Sequence, residues 1–181
     1  MRVAETFPVL GLAALLALSL PAQVPKPTEY QVKAAYLSNF GKFVDWSAKP
    51  GAIRDEPFNV CILGEDPFGP VLDAALAGEM VDHAPLVARR IPKAGEAVNC
   101  RVLFIGSSED DHLKDILSAV AGAGVLTVGE DPDFTKRGGM IQFVLVANKV
   151  RFEINLSAAQ RAGLKLSSEL LKLAVAVRRT P

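Results

Sequence analysis

Apolar positions are patterned most sharply between Gly138 and Val177. Met140 to Val146 is almost unbroken apolar sequence, the mark of a strand covered on both faces. Val150, Phe152 and Ile154 then alternate with Arg151, Glu153 and Asn155, the period of two of a strand with one face in the core. Between them Ala147-Asn148-Lys149 is short and polar, and asparagine tolerates the left-handed backbone of a tight turn. The pattern predicts an antiparallel hairpin. Ser157 and Gln160 have capping-box spacing, and Gly163 can end the short helix they open. Leu170, Leu173, Ala174 and Val177 fall at i, i+3, i+4 and i+7, with Glu169 near the start and Arg178 and Arg179 at the end. A last helix is therefore expected to pack on the hairpin.

Upstream, Thr28 and Gln31 also have capping-box spacing, and Tyr30, Val32, Tyr36, Leu37, Phe40, Phe43 and Val44 form two overlapping helical stripes. This predicts a helix from Thr28 to Trp46, buried over most of its circumference, with Asn39, Lys42 and Asp45 on its polar side. Four apolar runs follow: Phe58–Leu63, Pro85–Ile91, Cys100–Ile105 and Val125–Val128. Helical stretches separate several of them, one opened by Asp66-Pro67 and running to Ala77, another from Ser107 to about Val120, stopped by Gly122 and Gly124. All-apolar strands separated by helices imply an α/β fold: a mostly parallel central sheet with helices on both faces, plus a C-terminal antiparallel hairpin and closing helices. Ligands in such folds sit beyond the carboxyl ends of the parallel strands. Those ends are Gly64-Glu65-Asp66, Gly106-Ser107-Ser108 and Gly129-Glu130-Asp131.

Composition narrows the class. The 181 residues are half hydrophobic with a formal net charge of zero, which suits one domain with a real core, and no basic stripe points to nucleic acid. Arg2 precedes an apolar run from Val9 to Leu20, a signal-peptide core too short for a bilayer span of about 20 residues. Cleavage after Ala22 is expected, which assigns residues 1–22 to a signal peptide, 23–28 to a Pro-rich linker and 29–179 to a single domain. Export to an oxidising compartment lets Cys61 and Cys100 pair. Each lies in or beside an apolar strand, and closing a loop of roughly 40 residues contributes at most about 4 kcal/mol. A structural staple is the first reading of that pair and a redox-sensing pair the second.

Catalytic signals are sparse. Neither GxGxxG nor GxxxxGK[ST] nor GxSxG occurs. Gly106-Ser107-Ser108 could bind an anion, but Glu109, Asp110 and Asp111 follow it directly, and Lys136-Arg137-Gly138-Gly139 is the better anion candidate. His83 and His112 have no metal-ligand spacing. An enzyme would need Glu65, Asp66, Glu130 and Asp131 to converge. The residues alone describe an exported α/β domain that binds something without catalysis, with no cofactor and no metal.

Several stretches carry a resemblance to a known family: KAAYLSNFGKFVDW at Lys33 to Trp46, CRVLFIG from Cys100, VLTVGEDPDFTKRGGMIQF from Val125 to Phe143, and VRFEINLSAAQRAGLKLSSELLKLA from Val150 to Ala174. In these the chain resembles the YfiR family of periplasmic proteins. The resemblance implies a repressor that binds the periplasmic part of an inner-membrane diguanylate cyclase and keeps cyclic di-GMP low. It also implies an outer-membrane lipoprotein that sequesters the repressor, and a disulfide between Cys61 and Cys100. A second disulfide of the family is missing here, because Phe134 to Phe143 contains no cysteine. A sensor kinase is a further candidate client, and a homodimer a further assembly.

Individual contact residues do not carry over from the resemblance, so the expected partner surface rests on pattern: Asn39, Lys42 and Asp45 with Trp46 nearby, and Arg151, Glu153 and Asn155 on the second hairpin strand. The alternative reading is a periplasmic small-molecule binding protein that serves a sensor kinase or transporter.

Overall fold

The computed structural model describes residues 26–46 and 56–179. The signal peptide, its cleavage site and most of the linker lie outside the described residues.

Helix α1, Glu29–Phe43, opens as the sequence predicts. Thr28 Oγ1 accepts the Gln31 N–H at 3.3 Å, and Gln31 Oε1 accepts the Thr28 N–H at 2.7 Å. The helix ends at Phe43, three residues before Trp46, because Val44–Asp45 turns extended and forms β1. The strands that follow are β2 (Phe58–Leu63), β3 (Met80–Val81), β4 (Ala84–Ile91), β5 (Val102–Ile105), β6 (Leu126–Gly129), β7 (Ile141–Val146), β8 (Lys149–Asn155), β9 (Lys165–Leu166) and β10 (Ala176–Arg178). Helices α2 (Pro70–Leu76), α3 (Leu113–Ala119), α4 (Leu156–Arg161) and α5 (Ser168–Leu173) complete the fold, with 3-10 turns at Ala94–Asn99 and Ser107–His112.

Eight strands form one sheet in the order β10-β8-β7-β6-β5-β2-β4-β3. From β4 through β2, β5 and β6 to β7 every pairing is parallel, as expected of apolar strands joined by helical connections. The alternation of side chains across these strands builds two cores. Val60, Ile62, Val102 and Phe104 join α1 and α2 on one face, while Cys61, Leu63, Leu103 and Ile105 join α3 on the other. Cys61 and Cys100 are bonded inside the second core, both buried.

The hairpin of β7 and β8 is antiparallel, with Phe143 opposite Phe152 and Leu145 opposite Val150. Its two-residue turn has positive φ at Ala147 (49°) and Asn148 (57°), the backbone that matches the twist of the flanking strands. Phe40 stacks over Phe143 and meets Phe152 edge-on, which seats α1 on the hairpin.

Four local expectations are corrected. The helix predicted through Val177 stops at Leu173, and Ala176–Arg178 becomes a strand parallel to β8, with Ala176 opposite Glu153. The i, i+3, i+4, i+7 spacing of its apolar residues fits a helix, but the open side of β8 offers backbone partners that a longer helix would leave unmade. The short helix before Gly163 is capped by Asn155, whose Oδ1 accepts the Ala158 N–H at 3.0 Å, and not by Ser157. Asp66 does not open α2: its carboxylate accepts the Phe68 and Gly69 N–H groups, and the helix begins at Pro70. Ser107–His112 is a 3-10 segment, and α3 proper begins at Leu113.

Candidate functional site

The carboxyl ends of the parallel strands are where a doubly wound sheet holds its ligands. Here the loops after two of those strands, β2 and β5, close against each other, while a cleft opens at the end of β6. The reversal in strand order falls at β2, with β4 on one side of it and β5 on the other. The loop after β2 and the loop after β5 meet across this point: Glu65 N–H donates to Ser108 Oγ at 2.8 Å, and Gly106 N–H to Leu63 O at 2.9 Å. A Cβ on Gly106 would stand 2.6 Å from the Glu65 carbonyl oxygen, so the two backbones are in close approach.

Two of the acids at the strand ends, Asp66 and Glu130, are taken up by separate cations. Asp66 accepts from Arg90 Nε at 2.8 Å, and the same guanidinium reaches Asp73 and the Gly69 carbonyl, bracing α2 against β4. Arg90 raises its own affinity for a proton through these bonds, and Asp73 is held below the usual carboxylate range. Glu130 accepts from Lys33 Nζ, which also donates to Glu29. Among the described residues no group of three or more His, Cys, Asp and Glu side chains is arranged to hold a metal ion.

Lys33 was not singled out in the sequence, although Glu29 and Lys33 stand at i, i+4 on a helix. The residue is 4% exposed, and its ammonium lies 4.6 Å from the Tyr30 ring centroid and faces Glu130, to which Tyr30 OH donates at 3.3 Å. Burial alone would lower its pKa, but the hydrogen bonds to Glu130 and Glu29 outweigh it and hold the pKa above the ordinary lysine value. Burial and the Glu130 charge likewise raise Tyr30. A cleft of about 470 Å³ opens beside this group.

The anion candidate at Lys136 and Arg137 is neutralised locally: Lys136 pairs with Asp133 at 2.6 Å and Arg137 with Asp110. His83 and His112 are both exposed.

The residues expected to meet a partner divide by their surroundings. Asn39 is exposed and donates to the Ala35 carbonyl at 2.8 Å; Lys42 is exposed and pairs with Glu79 at 2.7 Å; Asp45 is exposed on β1. Arg151 is exposed on β8. Glu153 is half-buried and accepts from Arg178 at 3.1 Å. Trp46 and Asn155 are interior. The Trp46 ring packs edge-on against Phe58 and its indole N–H donates to Gly41 O, while the Asn155 amide donates to Thr135 O at 2.8 Å. Polar pattern in the sequence marks Asn155 as outward; its role as the α4 cap turns it inward.

A family model described as YfiR/HmsC-like matches residues 30–175. The chain belongs to the YfiR/HmsC-like family. Among solved structures it is similar to a conserved domain protein from Vibrio cholerae O1 biovar El Tor, at 11% identity and a TM-score of 0.58 over 83% of this chain. It is also similar to an ABC domain from Streptococcus pneumonia solved with L-Trp, at 11% identity and a TM-score of 0.51 over 80% of this chain. The YfiR-like chain spans about 60% of the length of each, and at this identity the likeness is one of fold. No helix of the described residues is long and apolar enough to cross a membrane.

Proposed function

We propose that this protein is an exported, non-catalytic repressor that binds the periplasmic part of an inner-membrane diguanylate cyclase and so holds cyclic di-GMP down. The observation that carries the reading is the family match over residues 30–175. A partner of this kind shifts the cyclase only by preferring one of its conformations. The bonded Cys61 and Cys100 fit the oxidising periplasm that an N-terminal signal peptide over residues 1–22 would deliver the chain to. An outer-membrane lipoprotein that removes the repressor, and a sensor kinase as the client in place of the cyclase, belong to the same reading.

Arg151 and Lys42 are the residues to reverse first. Arg151 has no ion-pair partner among the described residues, whereas Lys42 is matched by Glu79, so Arg151→Glu isolates the partner surface more cleanly. The purified protein and the cyclase's periplasmic domain should bind in a titration. Arg151→Glu should weaken the complex at least tenfold with an unchanged melting temperature. Absence of binding by the unaltered protein removes the cyclase as client.

A further inference from the structure

Among the described residues no strand pairs with the outer side of β10, and an apolar groove lies beside this end of the sheet. Strand β10 covers β8 from Glu153 to Asn155, and Val175 N–H donates to Phe152 O at 2.9 Å just before it. Backbone groups of alternate residues point to the same side of a strand, so the N–H and C=O of Val150 also point outward, past the end of β10. Between this edge and α1 lies a groove of about 700 Å³. Val32, Tyr36, Leu145 and Val150 line it, and Leu145 is 57% exposed and the adjacent Val146 48%. An open strand edge beside exposed apolar side chains is the geometry that takes up an added strand.

The charge around the groove says what kind of strand. Lys26, Lys149 and Arg151 border it, and none of the three has an ion-pair partner among the described residues. The one acid there, Glu29, is engaged by Lys33. A second copy of the chain would lay Lys149 and Arg151 against their own counterparts, which opposes self-pairing at this edge.

We propose that this groove receives an extended segment of the signalling partner, with alternating apolar residues and acidic flanks, added as a strand beside Val150. The segment's backbone pairs with the outward N–H and C=O of Val150, its apolar side chains lie against Val32 and Tyr36, and its acids meet Lys26, Lys149 and Arg151. The identity of the partner rests on the function proposed above; the chemistry of the segment does not.

The test uses the purified, oxidised protein and a displayed library of random nine-residue peptides, followed by titration of the most enriched sequence as a synthetic peptide. Enrichment of alternating apolar residues flanked by Asp or Glu is expected. The selected peptide should bind at least tenfold more weakly to the Lys149→Glu, Arg151→Glu double variant and to Val150→Pro. The double variant keeps the groove's apolar lining, so it serves even if Val150→Pro fails to fold. No enrichment, or equal binding by the double variant, overturns the proposal. So does a dimer in sedimentation that the double variant dissociates, since a second copy then covers the edge. Peptide binding involves no cyclase, so a peptide that binds as expected in a protein whose deletion leaves cyclic di-GMP unchanged keeps the groove and removes the client.

Discussion

Ser108 Oγ accepts the Glu65 N–H at 2.8 Å, tying the loop after β5 to the loop after β2. Gly106 sits inside the same junction, its Cα facing the Glu65 carbonyl with no room for a methyl group. Gly106→Ala should therefore force the two loops apart and destabilise the protein by about 2 kcal/mol, within the usual cost of overpacking. Ser108→Ala, which removes one hydrogen bond and adds no atoms, should cost about 1 kcal/mol. Urea unfolding of the two variants checks the order; a neutral Gly106→Ala would mean that the strand-end crevice is open to a ligand after all.

Lys33 is the cation on which the loop after β6 depends. Its side chain is 5% exposed and that of Glu130 18%, so Lys33→Met should leave a largely buried carboxylate without its partner and cost about 3 kcal/mol. Glu130→Gln should cost less, since the amide oxygen still accepts. The pH dependence follows from the raised pKa values of Lys33 and Tyr30. A group whose pKa is higher folded than unfolded gives its full stabilisation below the unfolded value and loses it as pH rises through the folded one. The melting temperature should thus fall above the unfolded values of 10.5 for lysine and 10.0 for tyrosine, and fall less steeply in Lys33→Met. A thermal melt series from pH 8 to about pH 11.5 measures both.

Reduction of the Cys61–Cys100 bond should be costly. The bond closes a span of 39 residues within a buried cluster, worth up to about 4 kcal/mol in the chain-entropy account. For a chain of this size that corresponds to a drop of roughly 8–16 °C in melting temperature on adding dithiothreitol. The Cys61→Ser, Cys100→Ser double variant should melt at least as low, because it also buries two hydroxyl groups in apolar surroundings.

Asn155→Ala tests the switch from strand to helix at the end of β8. The substitution removes the α4 cap and the bond to Thr135 O together, and should destabilise by about 2 kcal/mol. Ser157→Ala, at the position the spacing favours for the cap, should be close to neutral.

These residues also mark how far the sequence could be read. Strands β2, β4, β5, β6, β7 and β8 follow from unbroken or alternating apolar runs, and the α1 capping box from two residues three apart, because each is a local signal with a fixed period. The last strand was hidden by coincidence: Leu170, Leu173, Ala174 and Val177 satisfy a helical period, and only the unpaired side of β8 decides that Ala176–Arg178 extends instead. Asn155 was misplaced for a related reason, since alternation assigns it a face but not the cap it provides after the strand ends. The candidate site was least legible. The junction of the loops after β2 and β5 at Gly106 and Ser108, the bond from Lys33 to Glu130 across 97 positions, and the groove between α1 and β8 all join residues distant in sequence. Of the surface residues the pattern picked out, Arg151 borders that groove, and Trp46 lies in the core.

The regulatory reading is tested most directly by cyclic di-GMP in the native host with and without this gene. Deletion should raise cyclic di-GMP several-fold, and restoring the unaltered gene should bring it back while the Lys149→Glu, Arg151→Glu variant, present at an equal level, should not. An unchanged cyclic di-GMP level on deletion would contradict the account.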